Sequence, residues 1–265
     1  MYTRQKQLEA FERLLDIMDD LREKCPWDRK QTMDSLRNLT VEEVYELGDA
    51  ILEKDSNEIK KELGDVLLHI VFYSKIGSET NDFDVADVIN SLCEKLINRH
   101  PHIYGDVVAN DEKQVKENWE KLKLKEGNKS VLGGVPRSLP ALIKASRIQD
   151  KVAGVGFDWE EPKQVFEKVK EELAELQEEV NKNEQNKIED EFGDVLFSMI
   201  NYARFLKIDP ETALERTNKK FIFRFQYLEQ KAKENDLDIS KMSLEEMDKF
   251  WEEAKTINFD KNQTD

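Results

Sequence analysis

Cysteine is nearly missing from this 265-residue chain, which has only Cys25 and Cys93. The two stand far apart and in no ligand spacing, so neither a disulfide framework nor a zinc framework is on offer. Proline and glycine are sparse as well, at six and ten, which disfavours a design of strands and turns. Strict apolar/polar alternation is rare, while apolar residues recur at i, i+3 and i+4, the period of an amphipathic helix. No apolar run approaches the roughly 20 residues that span a bilayer. The opening "MYTRQKQLEAFERLL" reads as an amphipathic helix and not as a secretion signal. Positive charge is also short: 57 acids face 41 Lys and Arg, for a net charge of −16. Such a chain is ill suited to holding nucleic acid by its phosphates. Any anionic substrate needs a cation to bring it in. The expected class is an all-α, cytoplasmic protein with no membrane partner.

Periodicity predicts helices over about 3–24, 40–53, 56–76, 83–99 and 111–126, with Pro101 in "RHPHIYGD" stopping the fourth. The Gly-, Ser- and Pro-rich "EGNKSVLGGVPRSLP" is the best boundary. Further helices are predicted over about 138–151, 162–181, 185–206, 210–235 and 243–256. "AGVGFDW" is a glycine-bearing loop with two aromatics for anchoring, and the tail "NFDKNQTD" is read as frayed. This gives two tandem helix-bundle domains, 1–126 and 162–265, joined by a linker and connecting helix over 127–161.

What the chain has in plenty is acid, and it is patterned. "EEVYELGDAILEKDSNEIKKELGDVLLHIVFY" is answered by "EELAELQEEVNKNEQNKIEDEFGDVLFSMINY" at a constant offset of 129. That offset carries Glu42 to Glu171, Glu43 to Glu172, Glu46 to Glu175, Glu62 to Glu191 and Asp65 to Asp194. Acid-on-acid matches come cheaply here, but Gly64-Asp65-Val66-Leu67 against Gly193-Asp194-Val195-Leu196, with Tyr73 against Tyr202, does not. The chain is a duplicated helical module. Lys95 and Arg99 also pair with Lys220 and Arg224 if a connecting loop is four residues shorter.

On a helix, residues three apart lie about 60° from each other. Glu43 and Glu46 therefore share a face, as do Glu62 and Asp65 on the next helix. A short loop makes those helices antiparallel neighbours. Four carboxylates then face one another and repel unless a divalent cation neutralises them. All-oxygen ligands suit Mg²⁺ or Mn²⁺ far better than zinc. The plainer alternative is that Glu43 closes a T-x-x-E capping box with Thr40, though Val169 holds that position in the second copy. Lys168 lies one turn before Glu172, and Lys187 one turn before Glu191, where a lysine can hold phosphate oxygens. The alternative there is an ordinary i, i+4 surface pair. In the first copy the matching residues are Leu39 and Glu58. His69 reads as a satisfied core histidine, and His100 and His102 as turn residues. No Ser/His/Asp arrangement, His/Cys cluster or Gly-rich phosphate loop appears.

E-E-x-x-E followed by E-x-x-D on the next helix resembles the signature of the MazG nucleoside triphosphate pyrophosphohydrolases. "CPWDRKQT", "RHPHIYGD", "VPRSLPALIKASRIQDKVAGVGFDW" and "NKKFIFRF" extend the likeness to two-domain members over nearly the whole chain. The resemblance implies helix bundles assembled as a homodimer. It implies Mg²⁺-dependent cleavage of a nucleoside triphosphate to monophosphate and diphosphate. It implies metal ligation by Glu172, Glu175, Glu191 and Asp194, and nucleotide contacts from Lys168, Glu171, Lys187, Asp190, Lys220, Arg224 and Trp251. Glu171, off the ligand line, is the candidate to orient or deprotonate the attacking water. The first copy keeps Glu43, Glu46, Glu62 and Asp65 but lacks both lysines and a counterpart of Trp251, so the main site is expected in the second.

Three rivals stand beside this reading. One is a base-specific house-cleaning phosphohydrolase acting on dUTP-like or damaged nucleotides. A second is a di-iron bundle, which wants Glu-x-x-His pairs where this chain has Glu46, Asp65, Glu175 and Asp194. The third is a non-catalytic acidic scaffold.

Overall fold

The structure, a computed structural model, describes residues 2–107, 114–115 and 130–257. Helices run at α1 Arg4–Lys24, α2 Met33–Glu53, α3 Ser56–Glu79, α4 Val85–Arg99 and α5 Pro101–Tyr104. They continue at α6 Ala141–Ala153, α7 Pro162–Lys182, α8 Gln185–Phe205, α9 Pro210–Glu234 and α10 Leu244–Thr256. No strand occurs among the described residues. The predicted helix over 111–126 and the tail from residue 258 lie outside them, apart from residues 114–115, which are helical. No described helix is long and apolar enough to cross a membrane.

Local chemistry sets the helix ends. Asp55, Asp84, Asp209 and Ser243 accept backbone N–H groups of the turn that follows, meeting donors that the first turn cannot satisfy internally. Pro101, Pro162 and Pro210 open their helices, where a missing N–H costs nothing. Helix α2 differs from expectation. It begins two turns before Thr40, and its capping box is Thr32 with Ser35, each side chain accepting the other's backbone N–H.

Contacts divide the chain into two units, residues 1–108 and 109–265. In the first, α2 and α3 form a hairpin joined through Lys54 (φ 59°), and α1 lies on α3. Its core is Met18, Leu36, Val71 and Phe72, with Phe11, Leu14, Leu15, Leu39, Leu68, Tyr73 and Ile76 packed around it. In the second, α7 and α8 form the matching hairpin, joined through Asn183 (φ 58°). Helix α6 lies on α8, and α9 packs with α10. Buried Val165, Val169, Val195, Ile200, Leu228 and Ala254 make its interior.

Candidate active site

Each hairpin brings its acids together as the helical spacing requires. Glu43, Glu46 and Glu62 each place a carboxylate oxygen within 4.8 Å of the others, and Glu172, Glu175 and Glu191 do the same. Glu62 and Glu172 are the buried members, 4% and 7% exposed. Asp65 and Asp194 stand outside these trios, although Asp65 is close enough for its charge to act on Glu43.

The electrostatics show crowding. Burial raises the Glu43 pKa, and the charges of Asp65, Glu46 and Glu62 push it the same way. Burial raises Glu46 too, with Glu62 adding to it. Glu175 is raised first by burial and then by Glu172. One oxygen of Glu62 takes Lys61 Nζ at 2.8 Å. Its other oxygen is buried with no hydrogen-bond partner among the described residues. A buried carboxylate oxygen left bare is costly, and a hard divalent cation is what an all-carboxylate set accommodates. The residues fit Mg²⁺ or Mn²⁺.

The lysines separate the two copies. Lys168 Nζ lies 2.7 Å from Glu171 and 2.8 Å from Glu172. Those bonds, the one to Glu171 foremost, hold its pKa above the ordinary lysine range, so it stays cationic. Lys187 points elsewhere, pairing with Glu184 at 3.0 Å and Glu179 at 3.9 Å. Helical phase put it on the Glu191 line, but its long stem reaches the loop acid before α8. In the first copy Lys61 of α3 supplies a cation, at a position where the second copy has Asp190 and the repeat therefore gives no sign of a lysine.

Of the remaining expected contacts, Arg224 and Trp251 come together in a second group. Phe221 packs on Trp251 with ring centroids 5.0 Å apart, and the Arg224 guanidinium lies 5.8 Å from the Trp251 ring. Phe221 and Trp251 line a groove with Phe225, Leu228, Leu244 and Met247. Lys220 and Asp190 are exposed.

Thr40 does not cap a helix. Its hydroxyl donates to the Leu36 carbonyl (2.9 Å) and so accepts from Tyr73 Oη (2.7 Å) and His69 Nδ1 (3.0 Å). The capping-box explanation of Glu43 is therefore wrong, because residue 40 sits inside α2. His69 is the satisfied core residue that was expected, with burial lowering its pKa against the charge of Asp65. His100 sits between α4 and α5.

A cavity of about 530 Å³ opens beside the second trio, with Lys168, Glu172 and Asp194 in its wall. Gln149 of α6 also lines it. A glutamine at helical spacing gave the sequence reading no signal to single it out.

Comparison with known proteins points the same way. The model of the MazG nucleotide pyrophosphohydrolase domain matches twice, at residues 31–104 and 160–228. The chain is 46% identical over 250 residues to the nucleoside triphosphate pyrophosphohydrolase/pyrophosphatase MazG of Thermotoga maritima, covering 92% of this chain and 95% of the relative. It is 38% identical over 262 residues to the nucleoside triphosphate pyrophosphohydrolase of Escherichia coli, covering 96% and 100%.

Proposed function

Since the chain belongs to the MazG family of nucleotide pyrophosphohydrolases, we propose that it cleaves nucleoside triphosphates to monophosphate and diphosphate. The activity class is that of a hydrolase of phosphoric anhydrides. The main site is assigned to the second repeat, with Mg²⁺ as the ion and Mn²⁺ as its substitute. The observation that carries this assignment is the joining, at one point, of the buried member of the acid trio and a cationic lysine, Glu172 with Lys168.

Glu172, Glu175 and Glu191, with Asp194 beside them, would hold the ion. Mg²⁺ bound there would offset the charge of the triphosphate and polarise the α-phosphoryl group. Lys168 lies where it can exchange Glu171 and Glu172 for phosphate oxygens as substrate enters. In doing so it releases Glu171, which is exposed, to orient the attacking water. The water oxygen bonds to the α-phosphorus, the bond to the bridging oxygen breaks, and diphosphate leaves. Lys220 and Arg224 stabilise the charge gathering on the leaving group, joined by Lys187 when it exchanges Glu184 and Glu179 for phosphate oxygens, with Asp190 and Trp251 completing the nucleotide contacts. The first repeat, with Leu39 in place of Lys168, is assigned a metal-binding and structural part.

A homodimer is assigned as well, supported by the exposed apolar side chains Leu173, Val180, Phe192, Leu196 and Met199 on the α7–α8 hairpin. The location assigned is the cytoplasm.

Phosphorus NMR of the products, with Mg²⁺ and several nucleoside triphosphates, tests the reaction. Monophosphate with diphosphate is expected, with turnover lost in Glu172→Gln and largely kept in Glu43→Gln. Nucleoside diphosphate with orthophosphate would move the cleavage to another bond. No turnover with any nucleotide would favour the acidic scaffold.

A further inference from the structure

The repeats part company one turn beyond their acid clusters. The offset of 129 sets His69 against Ser198, Thr40 against Val169 and Tyr73 against Tyr202. In the second repeat Ser198 bonds within its own helix, its hydroxyl donating to the Val195 carbonyl at 2.9 Å, and Val169 is buried. In the first, an imidazole on α3 faces a carboxylate on α2, and a hydroxyl stands behind the ring to orient it.

That hydroxyl fixes the tautomer. Thr40 has one hydroxyl proton, and the Leu36 carbonyl, which only accepts, takes it at 2.9 Å. His69 Nδ1, 3.0 Å from the same oxygen, must then be a donor. Burial disfavours a charge on the ring, against the pull of Asp65, so Nε2 carries a lone pair. The lone pair faces Glu43 Oε1 at 4.0 Å, too far for a hydrogen bond. Two donor atoms on one ion, each about 2.0–2.2 Å from it, stand up to about 4 Å apart. A histidine that holds a metal characteristically donates its other ring N–H to a fixed acceptor, which is the part Thr40 plays.

Glu43 is also a corner of the acid trio. An independent sign comes from another member, Glu62, which is 4% exposed and keeps one oxygen buried with no hydrogen-bond partner among the described residues. Carboxylates alone suit Mg²⁺ or Mn²⁺. A nitrogen in the set moves the preference towards ions such as Zn²⁺ or Fe²⁺.

We propose that the acid cluster of the first repeat is a mixed nitrogen–oxygen site for a borderline divalent transition ion, with His69 Nε2 and Glu43 as ligands and Thr40 positioning the ring. The proposal rests on the metal-binding part given to the first repeat and adds which ions it selects. The second repeat, with Ser198 in place of His69, keeps an oxygen-only set. One duplicated hairpin has become two sites of different ion preference.

The chain has three histidines, His69, His100 and His102, so nitrogen NMR of the imidazoles in the full chain reads the site directly. Zn²⁺ is titrated into one sample and Mg²⁺ into another, and His69→Ser, which installs the second repeat's residue, assigns the His69 signals. The first equivalent of Zn²⁺ should move the Nε2 signal and leave Nδ1 protonated, while Mg²⁺ moves neither. Calorimetry follows on Glu172→Gln, which removes the buried ligand of the second cluster. There Thr40→Val should weaken Zn²⁺ by about tenfold or more, the scale of a lost ligand-orienting partner, and His69→Ser by at least as much, both leaving Mg²⁺ within about twofold. Zn²⁺ binding that is lost in Glu43→Gln while the His69 signals never move would overturn the proposal and leave an oxygen-only metal site. Signals that move only at His100 and His102 would overturn it too. Absence of any Glu43-dependent binding of either ion would sink the metal-binding part itself. The titration of the parent protein needs no substitution, so it decides even where a variant does not fold.

Discussion

Lys168 Nζ lies 2.8 Å from Glu172 Oε1, one helical turn apart on α7, and the first repeat offers Leu39 in its place. Removing this cation should cost catalysis and little else. Lys168→Met is expected to lower nucleoside triphosphate hydrolysis about a hundredfold or more, the size seen when one preorganised charge-stabilising group is lost. Thermal melting should move by no more than a few degrees, since a partly exposed i, i+4 pair contributes only tenths of a kcal/mol. Steady-state kinetics beside a melting curve checks both halves.

The Thr40 hydroxyl collects three hydrogen bonds inside the first hairpin. Tyr73→Phe removes one of them and leaves Thr40 with Leu36 and His69. The expected loss is about 1 kcal/mol, read as a lower urea midpoint at unchanged slope. An unchanged midpoint would mean that water replaces the phenol at no cost.

Two helical glycines should respond oppositely to alanine. A Cβ on Gly77 would meet the Phe83 ring at 2.8 Å and the Phe83 backbone oxygen at 2.9 Å, whereas one on Gly48 meets nothing within 4 Å. Gly77→Ala is expected to destabilise by about 1–3 kcal/mol through overpacking. Gly48→Ala should stabilise by up to about 1 kcal/mol through helix propensity. Denaturant titration of the pair distinguishes packing from propensity.

Arg22 clamps the end of α3 to the turn after α1. Its guanidinium grips both carboxylate oxygens of Glu79 and donates to the carbonyls of Asp28 and Gln31. The bond from Arg22 holds the Glu79 pKa below its usual value, with the Arg22 and Lys75 charges adding to it. A depressed carboxyl contributes stability above its unfolded pKa and loses it as pH falls through the folded value. Glu79→Gln should therefore lower the melting temperature by up to a few degrees at neutral pH, the pair being partly exposed. The gap should close as pH drops below about 4. A gap of constant size across that range would show that charge plays no part.

Much of this architecture was legible because its signals are local. Helix spans followed from apolar period, from Pro101, Pro162 and Pro210, and from capping residues. Helical geometry applied twice predicted sets of four carboxylates, and three of each four come together, with Asp65 and Asp194 outside the trios. What escaped was set by tertiary partners. Thr40 has the look of an N-cap, yet Thr32 and Ser35 start the helix upstream, so the hydroxyl is free to serve His69 and Tyr73. Lys187 shares a helix face with Glu191, but a long side chain chooses among acids by reach, and Glu184 and Glu179 are within it. The orientation of the Gln149 amide depends on Phe197, 48 residues away.

Lys54 and Asn183 are themselves 129 residues apart, and each takes nearly the same left-handed turn, φ 59° and 58°. The reversal was thus duplicated along with the helices. Because each turn leaves only two residues outside the helices, it acts as a phase lock. One residue inserted there would rotate the following helix by about 100°, swinging Glu62 and Asp65, or Glu191 and Asp194, out of register with their partners. Neither link supplies a ligand, yet its length is as strict a requirement of the site as any carboxylate. Insertions and deletions should be selected against at residues 54–55 and 183–184 more sharply than in the loop at 207–209.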